Sequence, residues 1–188
     1  MFDVEPFYGW HHLYISEEDE HSPFYGMVYN AFEFDRYIYT FPAHPLWDTI
    51  DSESLLIKVL FVDYSGGYAI IELIGEWNDL FENDFKLFTE NCLLAFTAAG
   101  IDKFILICEN VFNIYLESDE YYNAFQDEIP DGWIALIRAR DAVLEEITRY
   151  GLSGVFYWTK ELDLMSWRKM KPDDIFEKIN VSMRKALY

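Results

Sequence analysis

The chain has 188 residues, 52% of them hydrophobic and 19% aromatic, which is enough apolar side chain to fill a core and too much for a disordered polymer. Its 34 acidic and 14 basic residues give a formal charge of −20. That field repels phosphate backbones and anionic lipid, so nucleic acid and membrane surfaces are excluded as partners, whereas a protein partner or a small molecule stays open.

The charge is unevenly spread. Seven of the 14 bases (Lys160, Arg168, Lys169, Lys171, Lys178, Arg184, Lys185) fall in the last 29 positions beside five acids. A basic tail folding back on an acidic body is the expectation. No apolar run reaches the roughly 18 residues of a membrane span. Residues 1–5 lack the basic start and apolar stretch of a signal peptide, so the protein is expected to be cytoplasmic. Cys92 and Cys108 lie in apolar patterns and are expected to stay reduced, behaving as small hydrophobes.

Residues 1–51 read as an aromatic, β-rich extension. Residues 10–15 have strand character, residues 16–20 an acidic turn, and residues 27–32 could pair with 37–41 across 33–36. Tyr29, Phe32, Phe34, Tyr37 and Tyr39 are apolar enough that burial against the body is expected. Pro42 and Pro45 then impose an irregular crossing.

Residues 55–63 and 68–75 are apolar runs joined by Gly66 and Gly67, a hairpin whose glycines accept positive φ. Asp79 and Glu82, three apart, precede a stripe of Phe81, Phe85, Phe88, Cys92 and Phe96, a capping pair and a helix that ends at Gly100. A strand follows at 103–108, then a helix opened by Ser118, a strand at 133–137, a helix capped by Asp141 and stopped by Gly151, and a strand at 155–158. Asp173 and Asp174 precede Ile175, Phe176, Ile179, Met183 and Leu187, an amphipathic helix closing on Arg184 and Lys185, each charge at its favoured end.

Strands separated by single helices run parallel. The fold class is therefore α/β, with a mixed, mainly parallel sheet in which the hairpin is the only antiparallel pair, flanking helices, the N-terminal β-rich extension and the C-terminal amphipathic helix. One domain is expected: the extension at 1–51, an α/β core at 52–160, and a C-terminal segment at 161–188. A hairpin followed by three helix–strand steps resembles the SpoIIAA-like (STAS) fold over residues 55–158. Members of that family often carry an Asp-Ser pair, a phosphorylation switch for partner binding, at the helix after the third strand. Glu117-Ser118 stands nearest to it here, and Ser118 reads as a helix cap. The chain is also similar to an uncharacterised bacterial family, which implies no activity.

In open α/β sheets ligands sit beyond the carboxyl ends of the strands. The residues expected there are Glu76, Trp77, Asn78 and Asp79; Glu109 and Asn110; Arg138, Arg140 and Asp141; and Trp158 and Lys160. From these, Glu76, Trp77, Asp79, Glu109, Asn110 and Arg138 form the candidate ligand set, with Glu76 and Arg138 alternatively a simple ion pair. Glu76 beside Trp77 and Asp48 beside Trp47 also have the chemistry of a hydrolase acid and base near a sugar ring. His11 and His12 are adjacent, and His21 and His44 have no ligand spacing, so no metal site is expected. No cofactor motif occurs: there is neither a phosphate-binding glycine loop nor a nucleophile elbow. The leading expectation is a non-catalytic cytoplasmic binding or regulatory module engaging a protein partner. The alternative is a small-molecule binder or hydrolase at the strand ends. Oligomeric state stays open.

Overall fold

A computed structural model describes residues 4–116 and 118–186. Two short strands, β1 (Tyr37–Ile38) and β2 (Phe41–Pro42), form a small hairpin. The main sheet has six strands in sequence order: β3 (Asp48–Thr49), β4 (Leu55–Asp63), β5 (Tyr68–Asn78), β6 (Lys103–Tyr115), β7 (Trp133–Ile137) and β8 (Phe156–Tyr157). β3, β4 and β5 pair antiparallel, while β5 to β8 pair in parallel. The mixed α/β architecture is thus as expected, with one addition. The hairpin is not the only antiparallel pair, because β3 adds a second one on β4.

The β4–β5 turn uses Gly67 at φ 68°. At the far end of the same hairpin Gly75 takes φ 121°, and a Cβ there would collide with the Ser54 carbonyl oxygen. Two strands outrun their sequence signals. β5 continues past Gly75 to Asn78, and β6 continues past Cys108 to Tyr115, the two staying paired from Ile74↔Asn110 to Asn78↔Tyr115 across a one-residue register shift between Gly75 and Trp77. Their polar residues mimic strand ends, yet backbone pairing carries on beneath them.

After β5 comes α1 (Asp84–Phe88), a π-turn (Thr89–Leu93) and α2 (Leu94–Ala98), ended by Gly100 at φ 93°. The stripe is Phe85, Phe88, Cys92, Leu93 and Phe96, all buried, whereas Phe81 is 75% exposed and lies before the helix. The Asp79–Glu82 capping pair does not form. Asn83 holds the cap position in the left-handed region, and only Asp79 reaches the helix, accepting the Phe85 N–H at 2.8 Å. α3 (Glu120–Glu128) and α4 (Asp141–Arg149) complete this layer. Ser118 is exposed and is not the cap, a position held by Asp119, whose side chain accepts from Asn123 Nδ2 at 3.0 Å rather than from a helix N–H; Glu117 lies outside the described residues. Asp141 likewise sits in the first turn, where its charge faces the helix dipole, while Arg140 is the cap residue.

A monotone strand order has a consequence for packing. Right-handed crossovers between successive parallel neighbours place every connecting helix on the same side. Accordingly one core cluster joins α1, α2, α3 and α4 to Ala69, Ile71, Leu73, Phe104, Leu106 and Leu136, the front face. The back face carries Tyr68, Ile70, Ile105, Ile107, Ala135 and Ile137 and receives no crossover helix. It is covered instead by Trp10 and Phe7 from the N-terminal segment and by α5 (Lys160–Asp163), a 3₁₀ turn (Trp167–Lys169) and α6 (Pro172–Ala186), through Leu162, Met165, Trp167, Ile175 and Ile179. The tail thus does fold onto the acidic body, as in the Arg168 pairs with Glu109 and Glu72. Leu187, expected on this helix, lies outside the described residues.

The N-terminal region departs most from expectation. Residues 9–13 form consecutive turns, with the Leu13 and Tyr14 N–H groups donating to the Trp10 carbonyl, so no strand forms over residues 10–15. Residues 27–32 are not a strand either, and the small hairpin closes within 37–42 instead.

Candidate functional site

The residues expected to share one rim are divided among three places, because side chains alternate along β5 and β6, which extend through them. Trp77 and Asp79 belong to the front core. The Trp77 ring is stacked 5.8 Å from Phe85 and meets Phe156 edge-on at 5.9 Å. Asp79 accepts from the Phe85 N–H through Oδ1 and from the Tyr122 hydroxyl through Oδ2. Burial pushes its carboxyl up to about 6 against the lowering influence of those two donors.

Glu76 lies on the other side of β5, within reach of solvent. Its Oε2 accepts from the Tyr39 hydroxyl at 3.1 Å and its Oε1 from Asn113 Nδ2 at 3.2 Å, and the Tyr39 oxygen accepts in turn from Asn78 Nδ2. The expected Glu76–Arg138 pair does not form. Arg138 donates to Glu109 Oε1 at 3.3 Å and to the Asp163 carbonyl at 3.0 Å. Arg138 holds φ 59° at the end of β7, a conformation that costs a non-glycine residue about 1 kcal/mol and that goes with this aim.

Glu109 and Arg138 therefore form an ion pair within the set. Arg168 joins them, bonding Glu109 Oε2 and reaching Glu72 Oε1 at 3.4 Å. Partial burial alone would raise the Glu109 carboxyl, but the Arg168 and Arg138 guanidinium groups together hold it below its ordinary range. Asn110 faces elsewhere, its Nδ2 buried without a partner. Of the remaining strand-end residues, Arg140 lies over the Phe112 ring at 4.9 Å, Trp158 packs against the front core, and Lys160 opens α5.

Three further acids are buried. Glu72 is fully enclosed on the back face of β5; its Oε2 accepts from the Phe7 N–H at 2.8 Å, and burial raises its carboxyl to about 7. Asp84 accepts from the Ser54 hydroxyl and the Asn78 N–H, both at 2.7 Å. Asp48, also fully buried, accepts from the Tyr29 hydroxyl and lies 3.4 Å from Lys58 Nζ; burial raises it to about 6. A charged letter inside an apolar run was the signal for Glu72, visible in the stretch Ile70-Ile71-Glu72-Leu73-Ile74. Arg168 carries no signal beyond being one base of the tail expected to fold onto the acidic body, since its particular partners depend on which face the tail covers.

Residues 25–41 form the other notable surface. Tyr29 anchors them: its hydroxyl is bound to Asp48, and its ring centroid is 4.7 Å from Lys58 Nζ and 5.5 Å from the Arg36 guanidinium. Around that anchor Val28 is 92% and Phe32 90% exposed, and Tyr25, Met27, Phe34, Tyr37, Tyr39 and Phe41 are also exposed. The expected burial of Phe32, Phe34, Tyr37 and Tyr39 is thus overturned. The hairpin places these rings outside the two layers that cover the sheet. Cys92 and Cys108 are free and buried, and burial pushes both thiols up, Cys108 to about 12. Among the described residues no three His, Cys, Asp or Glu side chains are grouped to hold a metal ion, and no helix is long and apolar enough to cross a membrane.

No protein-family model and no curated protein matches the chain. Among solved structures, it is similar to the crystal structure of a candidate anti-sigma factor antagonist from Thermotoga maritima, at 21% identity and a TM-score of 0.39, over 56% of this chain and 86% of that one.

Proposed function

We propose that the protein is a non-catalytic binding module that engages a protein partner with a basic and apolar face through residues 25–41. The observation that carries this reading is the display of Val28 and Phe32, each at least 90% exposed, on either side of a pinned tyrosine. Scattered exposed apolar residues are ordinary, but a contiguous group held on a fixed scaffold marks an interaction surface. Its chemistry also selects the partner. Between positions 25 and 53 the exposed acids are Glu33, Asp35, Asp51 and Glu53, against Arg36, so electrostatic attraction favours a cationic partner while aromatic anchors supply contact area.

The small-molecule alternative gains no comparable support. Glu76, Asp79, Glu109 and Arg138 each already hold a protein partner. The test is paired capture at low ionic strength with the wild-type chain and a Val28→Ser/Phe32→Ser variant. The expected result is a discrete basic protein retained by the wild type, released by about 0.3 M salt through screening, and lost from the variant. Equal capture by both chains would reject the surface.

A further inference from the structure

Glu72 occupies the middle of β5 with Ile70 and Ile74 on its own face and Ile107 as its register partner on β6. One carboxylate there ties together two distant parts of the chain. Its Oε2 accepts from the Phe7 N–H at 2.8 Å and its Oε1 lies 3.4 Å from Arg168 Nη2. The same two segments also hold each other. The Phe7 ring meets Trp10 at 5.1 Å and Trp167 at 4.8 Å, both edge-on, and Trp10 Nε1 donates to the Met170 carbonyl at 3.1 Å.

We propose that Glu72 is the proton-sensitive pin of a clasp, made by residues 6–10 and 167–170 across the back face of the sheet, that is closed when the carboxyl is protonated and loosens when it ionises.

The direction follows from what surrounds the group. Arg168 faces it from the 3₁₀ turn, and Glu109 from β6, with Arg138 engaged by Glu109 in turn. Lys58, its cross-strand partner on β4, spends its ammonium on Glu17 and Asp48. The N-terminal segment contributes the Phe7 N–H, and of its titratable side chains His11 stacks on Tyr8 at 4.3 Å and Glu5 lies beside His44. Burial is the largest influence and raises the carboxyl; the Phe7 N–H and Arg168 lower it, Glu109 raises it, and the balance is about 7. Lifting the N-terminal segment would admit water and return the group towards its ordinary 4.5. The closed form therefore binds the proton more tightly, and protonation favours closure. Between the acid and alkaline limits the closed-to-open ratio falls by up to about 300-fold, tenfold for each unit separating 7 from 4.5. Phe7, Trp10 and Arg168 also line a groove of about 620 Å³ with Phe61 and Pro172, so opening the clasp widens that groove as well.

The experiment is hydrogen exchange of amides 7–10 in the full chain between pH 5.5 and 8.5, each rate divided by its intrinsic rate at that pH, with the Phe7 amide that donates to Glu72 as the central readout. Wild-type protection is expected to fall with a midpoint near 7, and Glu72→Gln, which cannot ionise, is expected to hold its protection throughout. A wild type whose protection does not vary, or a Glu72→Gln variant that loses protection as the wild type does, overturns the proposal. Should Glu72→Gln not fold, Phe7→Ala supplies a second readout. Its Glu72 carboxyl, followed by carbon NMR, is expected to titrate at least one pH unit below the wild type, and an unchanged midpoint equally overturns the clasp.

Discussion

The two faces of the sheet are filled in different ways. The front is covered by helices that connect the strands they cover, so each helix is tethered at both ends to the surface it buries. The back is covered by segments from outside the βα units, residues 6–10 and 160–186, which reach it from positions far away in sequence. Front packing is therefore built into the chain's connectivity, while back packing depends on docking. The polar chemistry divides accordingly. Front-face Asp79 is saturated by a helix N–H and a tyrosine hydroxyl. Back-face Glu72, Glu109, Arg138 and Arg168 form a network whose members come from separate elements.

The largest effect that would sharpen this contrast is expected on the front. Phe85 is buried among Trp77, Tyr122, Phe125 and Phe156. Phe85→Ala should lower global stability by about 3–5 kcal/mol, as large-to-small core changes do. Chemical denaturation would show this as a shifted midpoint with an unchanged slope. A smaller and more local loss is expected for Trp10→Ala, about 2–3 kcal/mol for the ring and its bond to the Met170 carbonyl. Exchange protection should fall first at residues 7–10 and 167–170 and leave the front helices as they were. Uniform loss across both faces would break the comparison.

The smallest effect concerns Asp79. Its carboxyl rises from 3.8 to about 6 on folding, so its influence favours the fold below pH 3.8 and is lost as pH climbs through 6. Asp79→Asn retains an acceptor for the Phe85 N–H and removes the buried charge. It is expected to raise stability at pH 7.5 by about 1 kcal/mol and to flatten the pH dependence between 4 and 6, measured by thermal melts across that range. A destabilised variant at neutral pH would mean that the ionised carboxylate is the better partner for Tyr122.

Strand positions were legible where apolar density was high. β4 and β7 have the expected limits, since Leu55–Asp63 and Trp133–Ile137 are bounded by turn residues on both sides. The upper halves of β5 and β6 were not legible, because Glu76, Asn78, Glu109, Asn110 and Asn113 look like the residues of a loop. Pairing is a property of the backbone, and those two strands support each other beyond the width of the sheet. The candidate rim failed to converge for the same reason: a residue just past a strand shares an edge with its neighbours, whereas a residue within one alternates between faces. Glu109 and Arg138 do meet, although the ion pair expected for Arg138 was with Glu76. Residues 10–15 misled in the opposite sense, their aromatic content suggesting a strand where the Trp10 carbonyl closes turns. Phe32 misled through hydropathy alone, which registers an apolar ring but not whether any layer lies over it.

Gly75 offers a way to recognise distant kin. Its backbone angle of 121° and its approach to Ser54 together exclude every chiral amino acid, by geometry rather than preference. Any divergent homologue that keeps this crossing of β4 and β5 must spell glycine there, whatever has become of the aromatics and acids around it. A single glycine, aligned to the β5 position that pairs with the start of β4, is thus a more durable signature of this architecture than its composition.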